Sequence, residues 1–456
     1  MSELEGRPAG ERMYELVAAL YPICRSITGD GVRETLRAIR QLVPLEVHEV
    51  PTGTAVLDWT VPREWNIRDA YIATPDGRRI VDFRSSTLHV VSYSVPVRRR
   101  MTLAELDPHL FSLPEHPDWI PYRTSYYKEE WGFCLADRVR RGLDAEVEYD
   151  VCIESTLADG ALTYGECLLP GTSSEEVLLS CHCCHPSMAN DNLSGIAVAT
   201  YLARALTGRP RRYSYRFLFV PGTIGPITWL ARNEARAGRV RHGLVLACAG
   251  DPGPLTYKRS RRGKAEIDRA VEHVLRHGGA GYSVVDFTPY GYDERQYCSP
   301  GFDLPVGSLS RTPHGRFPEY HTSADNLDLV RPECLQDTLF TLLNVVDVLE
   351  RDATYVNASP KGEPQLGRRG LYRAMGGVAD ATEFEHALLW VLNQSDGSHT
   401  LLDIAERADL PFPAIAGAAS ALLAADLLRP GTPSGSESRE AHPSGTTTTG
   451  RISRVG

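Results

Sequence analysis

The chain has 456 residues, of which 42% are hydrophobic and 23% are charged, as is ordinary for a globular protein. Its formal net charge of -9 argues against a nucleic acid or an anionic membrane as a partner, since either surface would repel it. We therefore expect a small or peptide-like substrate, and neither nucleic acid nor membrane binding.

The N-terminus, MSELEGRPAGERMYELVAAL, is acidic and lacks a continuous apolar run, so it does not resemble a signal peptide. No segment approaches the roughly 20 apolar residues that a spanning helix needs. A cytoplasmic location is therefore expected. Ten cysteines in such a chain predict free thiols, and Cys24, Cys134 and Cys248 lie in apolar contexts typical of core residues.

In the first third of the chain, the sequence pattern changes from one typical of helices to one typical of short β-strands. Residues 11–43 have leucines at helical spacing, whereas residues 46–100 contain short alternating runs such as TLHVVSYSVPV, broken by Pro and Gly. We assign residues 1–45 to the helical beginning of a core domain and residues 46–145 to an inserted β-rich domain.

Strands and helices alternate over residues 146–375. The runs EVEYDVCIEST and YGECLLPG predict a hairpin, and EEVLLSCH, YSYRFLFVPG and GLVLACAG predict buried strands separated by helices such as IAVATYLARAL. Continuous apolar strands of this kind imply a largely parallel sheet covered on both faces. This region is predicted to be an α/β core.

Residues 376–430 contain three short helical patterns and predict a winged-helix-like domain. A DNA-binding winged helix needs basic side chains on its last helix. Residues 401–428, however, contain one basic residue, Arg407, and four acidic ones. A packing or dimerisation module is therefore favoured, which leaves a homodimer open. The final residues, 431–456, are low in complexity and predicted to be disordered.

The stretch CHCCHPSMANDNLSG, residues 181–195, follows a predicted strand and precedes a helix. Open α/β sheets bind ligands at this end of their strands. A divalent metal needs converging imidazoles and carboxylates. One histidine from His182 or His185, together with Asp191, Asp251 and His321, would supply them.

Several of these residues also have a structural interpretation. Cys181 and Cys183 alternate along a strand, so we expect them to pack into the layers that cover the sheet. Only Cys184 is kept as a candidate ligand or nucleophile. Asp251 precedes Pro-Gly, where aspartate is common as a turn residue.

The polar motifs together resemble a known group of enzymes. DNLSG after a histidine-ended strand, a later strand-end Asp, and YHT followed by Asp are similar to the co-catalytic zinc aminopeptidase superfamily, which includes glutaminyl cyclase-like relatives. RSITGDGVRETL, DWTVPREWNIRDAYI, SYYKEEWGFCL, CHPSMANDNLSG, PGTIGPITWL, GDPGPLTYKRSR and PEYHTSADNLDLV more closely resemble a bacterial aminopeptidase-like family, largely catalogued as domains of unknown function. Over residues 11–430 the resemblance implies a mixed, mostly parallel α/β sheet sandwiched by helices, an inserted β-rich domain and a C-terminal winged helix.

The resemblance also implies a zinc site. The first metal-binding histidine falls on His182, with His185 as an equally placed competitor, and the remaining ligands fall on Asp191, Asp251 and His321. The superfamily also uses a Glu-Glu pair, as general base and as ligand to a second zinc. The matching place here reads PGTIG, residues 221–225, without a carboxylate, so one zinc ion is expected rather than two.

Without that pair, another group must take the proton of the attacking water, a role worth about 10²–10⁴-fold in rate. We predict Glu294 as this catalytic residue, the structural alternative being an ion pair with Arg295. A basic run such as that after Tyr257 is usually a solvated face, but near a metal crevice some of its side chains could hold a substrate. The candidate substrate-binding residues are Tyr257, Lys258, Arg295, Arg311 and Tyr320.

The predicted function is that of a zinc-dependent, aminopeptidase-like amidohydrolase for a short peptide or an aminoacylated metabolite. One alternative is metal-dependent acyl or amine transfer, or cyclisation, in specialised-metabolite biosynthesis, which needs no attacking water. The other is an inactive pseudo-peptidase that binds a ligand or scaffolds partners. The absent Glu pair favours this last alternative, and the retained ligand set opposes it.

Overall fold

The computed structural model describes residues 8–372 and 379–431, and the predicted disordered tail lies outside this part except for residue 431. The chain divides after Glu350 into two compact units. Within the described residues, every helix is too short or too polar to cross a lipid bilayer.

Helices and strands succeed one another along the whole described part of the chain. The helices are α1 Ala9–Leu20, α2 Asp30–Arg40, α3 Leu103–Leu106, α4 Asp137–Arg141, α5 Gly195–Leu206, α6 Ile224–Arg232, α7 Glu234–Ala237, α8 Glu266–His277, α9 Glu294–Tyr297, α10 Pro332–Arg351, α11 Ala379–Gln394, α12 Leu401–Ala408 and α13 Phe412–Ala424. The strands are β1 Glu46–Pro51, β2 Ala55–Val56, β3 Trp59–Thr60, β4 Glu64–Ala73, β5 Arg79–Asp82, β6 Val97–Thr102, β7 Leu110–Phe111, β8 Phe133–Cys134, β9 Glu148–Ala158, β10 Ala161–Leu169, β11 Glu176–His182, β12 Ser214–Val220, β13 Val240–Leu246, β14 Leu255–Lys258, β15 Tyr282–Val285, β16 Val306–Ser310, β17 Thr354–Asn357, β18 Asp396–Thr400 and β19 Leu428–Pro430.

The first unit is built on an eight-stranded sheet in the order β1-β10-β12-β11-β13-β16-β14-β15. Its centre, β12-β11-β13-β16, is parallel, whereas β10 and β14 run antiparallel to their neighbours β12 and β16. Every residue of β11 and β12 is buried, which explains their continuous apolar runs. Helices such as α5 and α8 pack on this sheet, and the predicted mixed, mostly parallel α/β fold is confirmed.

The insert contains a four-stranded antiparallel sheet in the order β5-β4-β9-β6. The predicted hairpin between β9 and β10 is therefore wrong, because β9 pairs with β4 and β6 while β10 belongs to the large sheet. Asp159 and Gly160, which lie between the two strands, carry the chain from one sheet to the other. The predicted domain limits at 46 and 145 do not coincide with the sheets either, because β1 also joins the large sheet.

The second unit has its own sheet and helices. Strands β18, β17 and β19 form a three-stranded antiparallel sheet, and helices α11, α12 and α13 pack together. The central strand, β17, begins at Thr354, so this unit starts well before residue 376, where the sequence pattern placed it. The predicted winged-helix-like domain therefore includes the segment that follows α10.

Candidate metal centre

Three imidazoles and one carboxylate meet where β11 ends. His182 is the last residue of β11, and its Nε2 lies 2.8 Å from Oδ1 of Asp191. The other oxygen, Asp191 Oδ2, lies 3.1 Å from Nε2 of His321. Ligand atoms of His182, His185 and Asp191 lie within 4.8 Å of one another, and the rings of His185 and His321 are 5.1 Å apart. We call these four residues the donor group.

The sequence around Asp191 fixes its carboxylate. The backbone N–H groups of Asn190 and Asp191 donate to the two carboxylate oxygens of Asp325, at 2.6 and 2.8 Å. Asn192 donates through Nδ2 to the last carbonyl of β13, at 3.0 Å. In the run NDN, Asn190 bonds to Asp325 and Asn192 bonds to the end of β13, and these bonds position Asp191 between them. Residues that surround a metal ligand usually orient it in this way.

Burial and mutual charge decide the protonation of the donor group. Burial lowers the pKa of His185 well below its usual value, so the ring is in the neutral form that coordinates metals. Burial alone would raise the pKa of Asp191, but the charge of His182 and the hydrogen bonds from His182 and His321 hold it well below its usual value. Against the effect of burial, Asp191 raises the pKa of His182.

The chemistry of this donor group fits zinc. Two ligands of a tetrahedral zinc ion, each about 2.1 Å from the metal, lie about 3.4 Å apart. The separations of 2.8 and 3.1 Å between Asp191 and two of the histidines are hydrogen-bond distances, so these side chains would move apart by a few tenths of an ångström to share one ion. Cys184 has another partner, because its Sγ accepts the N–H of Gly222 at 3.2 Å. Burial raises the pKa of Cys184 to about 12, which disfavours it as a nucleophile.

Asp251 is not placed with the donor group. Its Oδ1 accepts hydrogen bonds from the Gly253 N–H and the Thr312 hydroxyl, at 2.9 and 2.5 Å. Its Oδ2 accepts from Asn190 Nδ2 and the Thr312 N–H, at 3.0 and 3.1 Å. Because both oxygens are engaged, the structure gives Asp251 the task of positioning Asn190, not the metal-ligand role predicted from its strand-end place.

Two of the predicted substrate-binding residues are structural. Tyr257 is fully buried, and its hydroxyl donates to Asp268 at 2.8 Å. Arg311 is 8% exposed and donates to the carbonyls of Gly253 and Cys334. Neither side chain is free to contact a substrate, so both predictions are wrong.

The other three predicted residues differ in their contacts. Tyr320 stacks on the ring of His321, with centroids 3.9 Å apart. The Lys258 ammonium donates to Glu294 Oε1 at 2.8 Å and to two backbone carbonyls, which uses all three of its protons. Arg295 has a buried Nε without a hydrogen-bond partner. Of the three, Tyr320 is in direct contact with the donor group.

The segment without glutamates forms a strained turn after β12. Ile224 N–H donates to the Gly222 carbonyl at 2.8 Å, and Thr223 between them has a φ of 63° and a ψ of -68°. These are the angles of a γ-turn of the rare, strained type. The Thr223 N–H donates to Asp293 Oδ1 at 2.7 Å. The turn therefore brings a carboxylate from another loop to the place where the resemblance puts glutamates.

Asp293 and Glu294 are both buried, at 4% and 0% exposure. Each has one carboxylate oxygen without a hydrogen-bond partner, Oδ2 and Oε2 respectively. Burial raises the pKa of Asp293 to about 6, although His182 and the Thr223 N–H oppose this effect. The sequence singled out Glu294 of this dipeptide, and the structure adds that Asp293 bonds to the turn after β12 whereas Glu294 bonds to Lys258.

Two aromatic residues beside the donor group do not follow from the sequence motifs. The Tyr292 ring lies parallel to His182, with centroids 6.1 Å apart, and its hydroxyl donates to Cys248 Sγ at 3.2 Å. Tyr122 comes from the insert and donates its N–H to the His321 carbonyl at 2.8 Å. Tyr292 directly precedes Asp293 and could have been found from that motif, whereas nothing in the spacing of the insert pointed to Tyr122.

A cavity of about 670 Å³ opens beside His321. Tyr122 and Tyr320 line it near the donor group, and residues of the insert line its far side. Among these, Arg123 places its guanidinium 4.2 Å from the centre of the Phe111 ring. Residues of the insert thus line a cavity that His321 of the donor group also lines.

Comparisons with known proteins agree with this architecture. Residues 14–352 match the family described as a domain of unknown function, DUF4910, and residues 353–430 match a winged helix-turn-helix family. A Clostridium acetobutylicum protein, whose name includes the words "polysaccharide biosynthesis protein with aminopeptidase-like domain", is 53% identical over 420 residues, covering 92% of this chain and 96% of that protein.

Solved structures give the same result for the fold. A Clostridium acetobutylicum crystal structure, described with the word peptidase, has a TM-score of 0.88 at 51% identity, covering 92% of this chain and 96% of that one. A zinc aminopeptidase from Bacillus subtilis has a TM-score of 0.54 at 13% identity, covering 75% and 94%, and this likeness shows the fold alone. The chain therefore belongs to the DUF4910 family, and its aminopeptidase-like α/β unit is followed by a winged-helix domain.

Proposed function

We propose that this protein is a zinc-dependent amidohydrolase that holds one zinc ion among His182, His185, Asp191 and His321, with three of them as ligands and the fourth position open to water. The observation that carries the proposal is the convergence of three imidazoles on one ionised carboxylate at a strand end. A group of this composition is unfavourable to bury without a cation, because Asp191 is fully buried and negatively charged. Imidazole and carboxylate are ligand types that suit zinc.

Zinc bound at this site would polarise the carbonyl of an amide and lower the pKa of a water molecule. The residues of the chain supply positioning. Asn190, Asn192 and Asp325 hold the backbone around Asp191, and Tyr320 covers one face of the His321 ring. This stacking fixes the plane of the His321 ring, whose side chain remains 34% exposed on the side of the cavity.

The substrate that we propose is an aminoacylated or peptide-like metabolite. The cavity beside His321 is lined by aromatic and polar side chains from two parts of the chain, as is usual for small-molecule sites. The name of the Clostridium acetobutylicum relative mentions polysaccharide biosynthesis, which favours an amide carried on a sugar as the first substrate to test.

The proposed hydrolysis is tested by following the incorporation of oxygen from ¹⁸O-labelled water into the products. The full chain is reconstituted with zinc and incubated in ¹⁸O water with aminoacyl p-nitroanilides and N-aminoacylated amino sugars. Hydrolysis places solvent oxygen in the acid product, and a chelator should abolish the activity until zinc is returned. A product without solvent oxygen would instead indicate acyl transfer or cyclisation, and zinc binding without turnover would indicate a binding protein.

A further inference from the structure

The turn that follows β12 leaves the proposed hydrolase without an evident proton acceptor. The residues Gly222, Thr223 and Ile224 offer no carboxylate there. A hydrolase that activates water needs a base within hydrogen-bond reach of that water. Some other part of the chain must therefore bring a carboxylate to this place, if the proposed function is correct.

Asp293 reaches the turn from the loop before α9. Its Oδ1 accepts the Thr223 N–H at 2.7 Å, which fixes the carboxylate against the turn itself. Its Oδ2 is buried and lacks a hydrogen-bond partner within the described part of the chain. Buried carboxylate oxygens are rarely left unpaired, so an unpaired one indicates a place for water or substrate.

The turn that anchors Asp293 packs against the end of β11. Gly222, the residue before Thr223, donates its N–H to Cys184 Sγ at 3.2 Å. A Cβ added at Gly222 would lie 3.7 Å from His182 Cβ and 3.5 Å from Cys184 Sγ, which is ordinary contact distance. The carboxylate anchored on Thr223 is thus held on a turn that contacts the strand end carrying His182.

The neighbouring carboxylate has a different partner. Glu294 Oε1 accepts a hydrogen bond from Lys258 at 2.8 Å, which forms a buried ion pair with β14. The orientation of its carboxylate is therefore fixed by the lysine and not by the strained turn. Adjacent residues at the start of a helix point in different directions, which explains why only one of them bonds to Thr223.

We infer that Asp293 takes the place of the absent glutamate pair as the proton-transfer residue of the proposed hydrolase. Its Oδ2 removes a proton from the attacking water as the water oxygen bonds to the amide carbon. The C–N bond then breaks, and the same oxygen returns the proton to the leaving nitrogen. The products are a carboxylic acid and an amine, and Asp293 ends as it began.

The inference rests on the proposed function, and the experiment separates the two. Zinc content is measured first, for the wild type and for the variants Asp293→Asn, Asp293→Glu and Glu294→Gln. Asp150→Asn is the matched control, because Asp150 forms an exposed ion pair with Arg100 in the insert. A wild type that binds no zinc would overturn the proposed function and the inference together.

With zinc bound, Asp293→Asn should keep its zinc and its melting temperature while kcat/KM for the hydrolysed amide falls by about 10²–10⁴-fold. Asp293→Glu should restore part of the activity, and Glu294→Gln should lose less than Asp293→Asn. Loss of zinc in Asp293→Asn would make Asp293 a ligand and overturn the inference, as would full activity in that variant.

A binding experiment gives a readout without turnover. An aminoacyl hydroxamate carries an acidic proton that a base beside the metal would accept. Calorimetry with the zinc-loaded proteins should find roughly tenfold or greater weakening of hydroxamate binding in Asp293→Asn, as expected for the loss of one charged hydrogen bond. The Asp150→Asn control should bind like the wild type. Equal binding by Asp293→Asn and the control would contradict the inference.

Discussion

Two loops at the same end of the large sheet each carry one aspartate. The two carboxylates differ in the groups with which they interact. The β11 loop, residues 183–194, carries Asp191, whose oxygens face His182 and His321. The β13 loop, residues 247–254, carries Asp251, whose oxygens accept four hydrogen bonds from nearby protein groups. The comparison teaches that a strand-end carboxylate is suited to a metal when its partners are themselves potential ligands, such as imidazoles, and not when backbone, amide and hydroxyl donors occupy both oxygens.

The largest expected effect is on metal content. Asp191→Asn should reduce bound zinc to near zero after dialysis, because the amide removes the one negative charge that the imidazoles share. Asp251→Asn should retain its zinc. Metal analysis by mass spectrometry checks both variants, and loss of zinc from Asp251→Asn alone would reverse the comparison between the loops.

A third carboxylate, Asp293, extends the comparison to the pH dependence of stability. Its pKa is raised by burial from 3.8 to about 6, so the native protein holds a proton between these values that the unfolded chain has released. This contribution to stability is complete below about pH 4 and is lost as the pH rises through about 6. The loss is on the order of 3 kcal/mol.

Urea unfolding of the metal-free protein measures this effect. The free energy of unfolding should fall more steeply between about pH 4.5 and pH 6.5 in the wild type than in Asp293→Asn. Taking the difference between the two proteins removes the contribution of other carboxylates. Equal slopes would mean that Asp293 is already ionised at the acidic end of this range.

Asp251→Asn should lower the free energy of unfolding and leave the zinc content unchanged. The amide keeps one acceptor oxygen but presents N–H groups to the Gly253, Thr312 or Asn190 donors that the other oxygen satisfied. Leaving such buried donors unpaired costs about 1–3 kcal/mol. Chemical denaturation of the zinc-loaded variant checks this value, and an unchanged midpoint would show that the loop adapts.

The smallest effect is expected at the residue that touches both loops. Tyr292 lies parallel to His182, where the first loop begins, and donates to Cys248 in the second. Tyr292→Phe keeps the ring and removes the hydroxyl, so it should lose about 1 kcal/mol of stability and no zinc. A large loss of zinc would indicate that the hydroxyl itself aligns the donor group.

Much of the fold follows from sequence pattern, because the continuous apolar runs of β11 and β13 predict buried strands. The donor residues His182, His185, Asp191 and His321 also follow from the sequence, through their strand-end motifs and the resemblance that these carry. Whether Asp251 keeps a free oxygen depends on Thr312, which is 61 residues distant, and no local pattern reveals that contact.

Two further questions, the partners of β9 and the contacts of Asp293, depend on distant segments. Strand β9 alternates like its neighbour β10, and alternation does not indicate which sheet a strand joins. Asp293 and Glu294 are adjacent in a short motif, and the choice between them depends on the Thr223 N–H in a separate loop. Pairing across distant segments decides both questions, whereas sequence periodicity reports only local structure.

The central claim is that the protein holds one zinc ion on the β11 loop and none on the β13 loop. Anomalous diffraction at the zinc edge, from crystals of the full chain soaked with zinc, tests this claim most directly. The account predicts a single peak surrounded by His182, His185, Asp191 and His321. A peak bonded to Asp251, or no peak at the donor group, would contradict it.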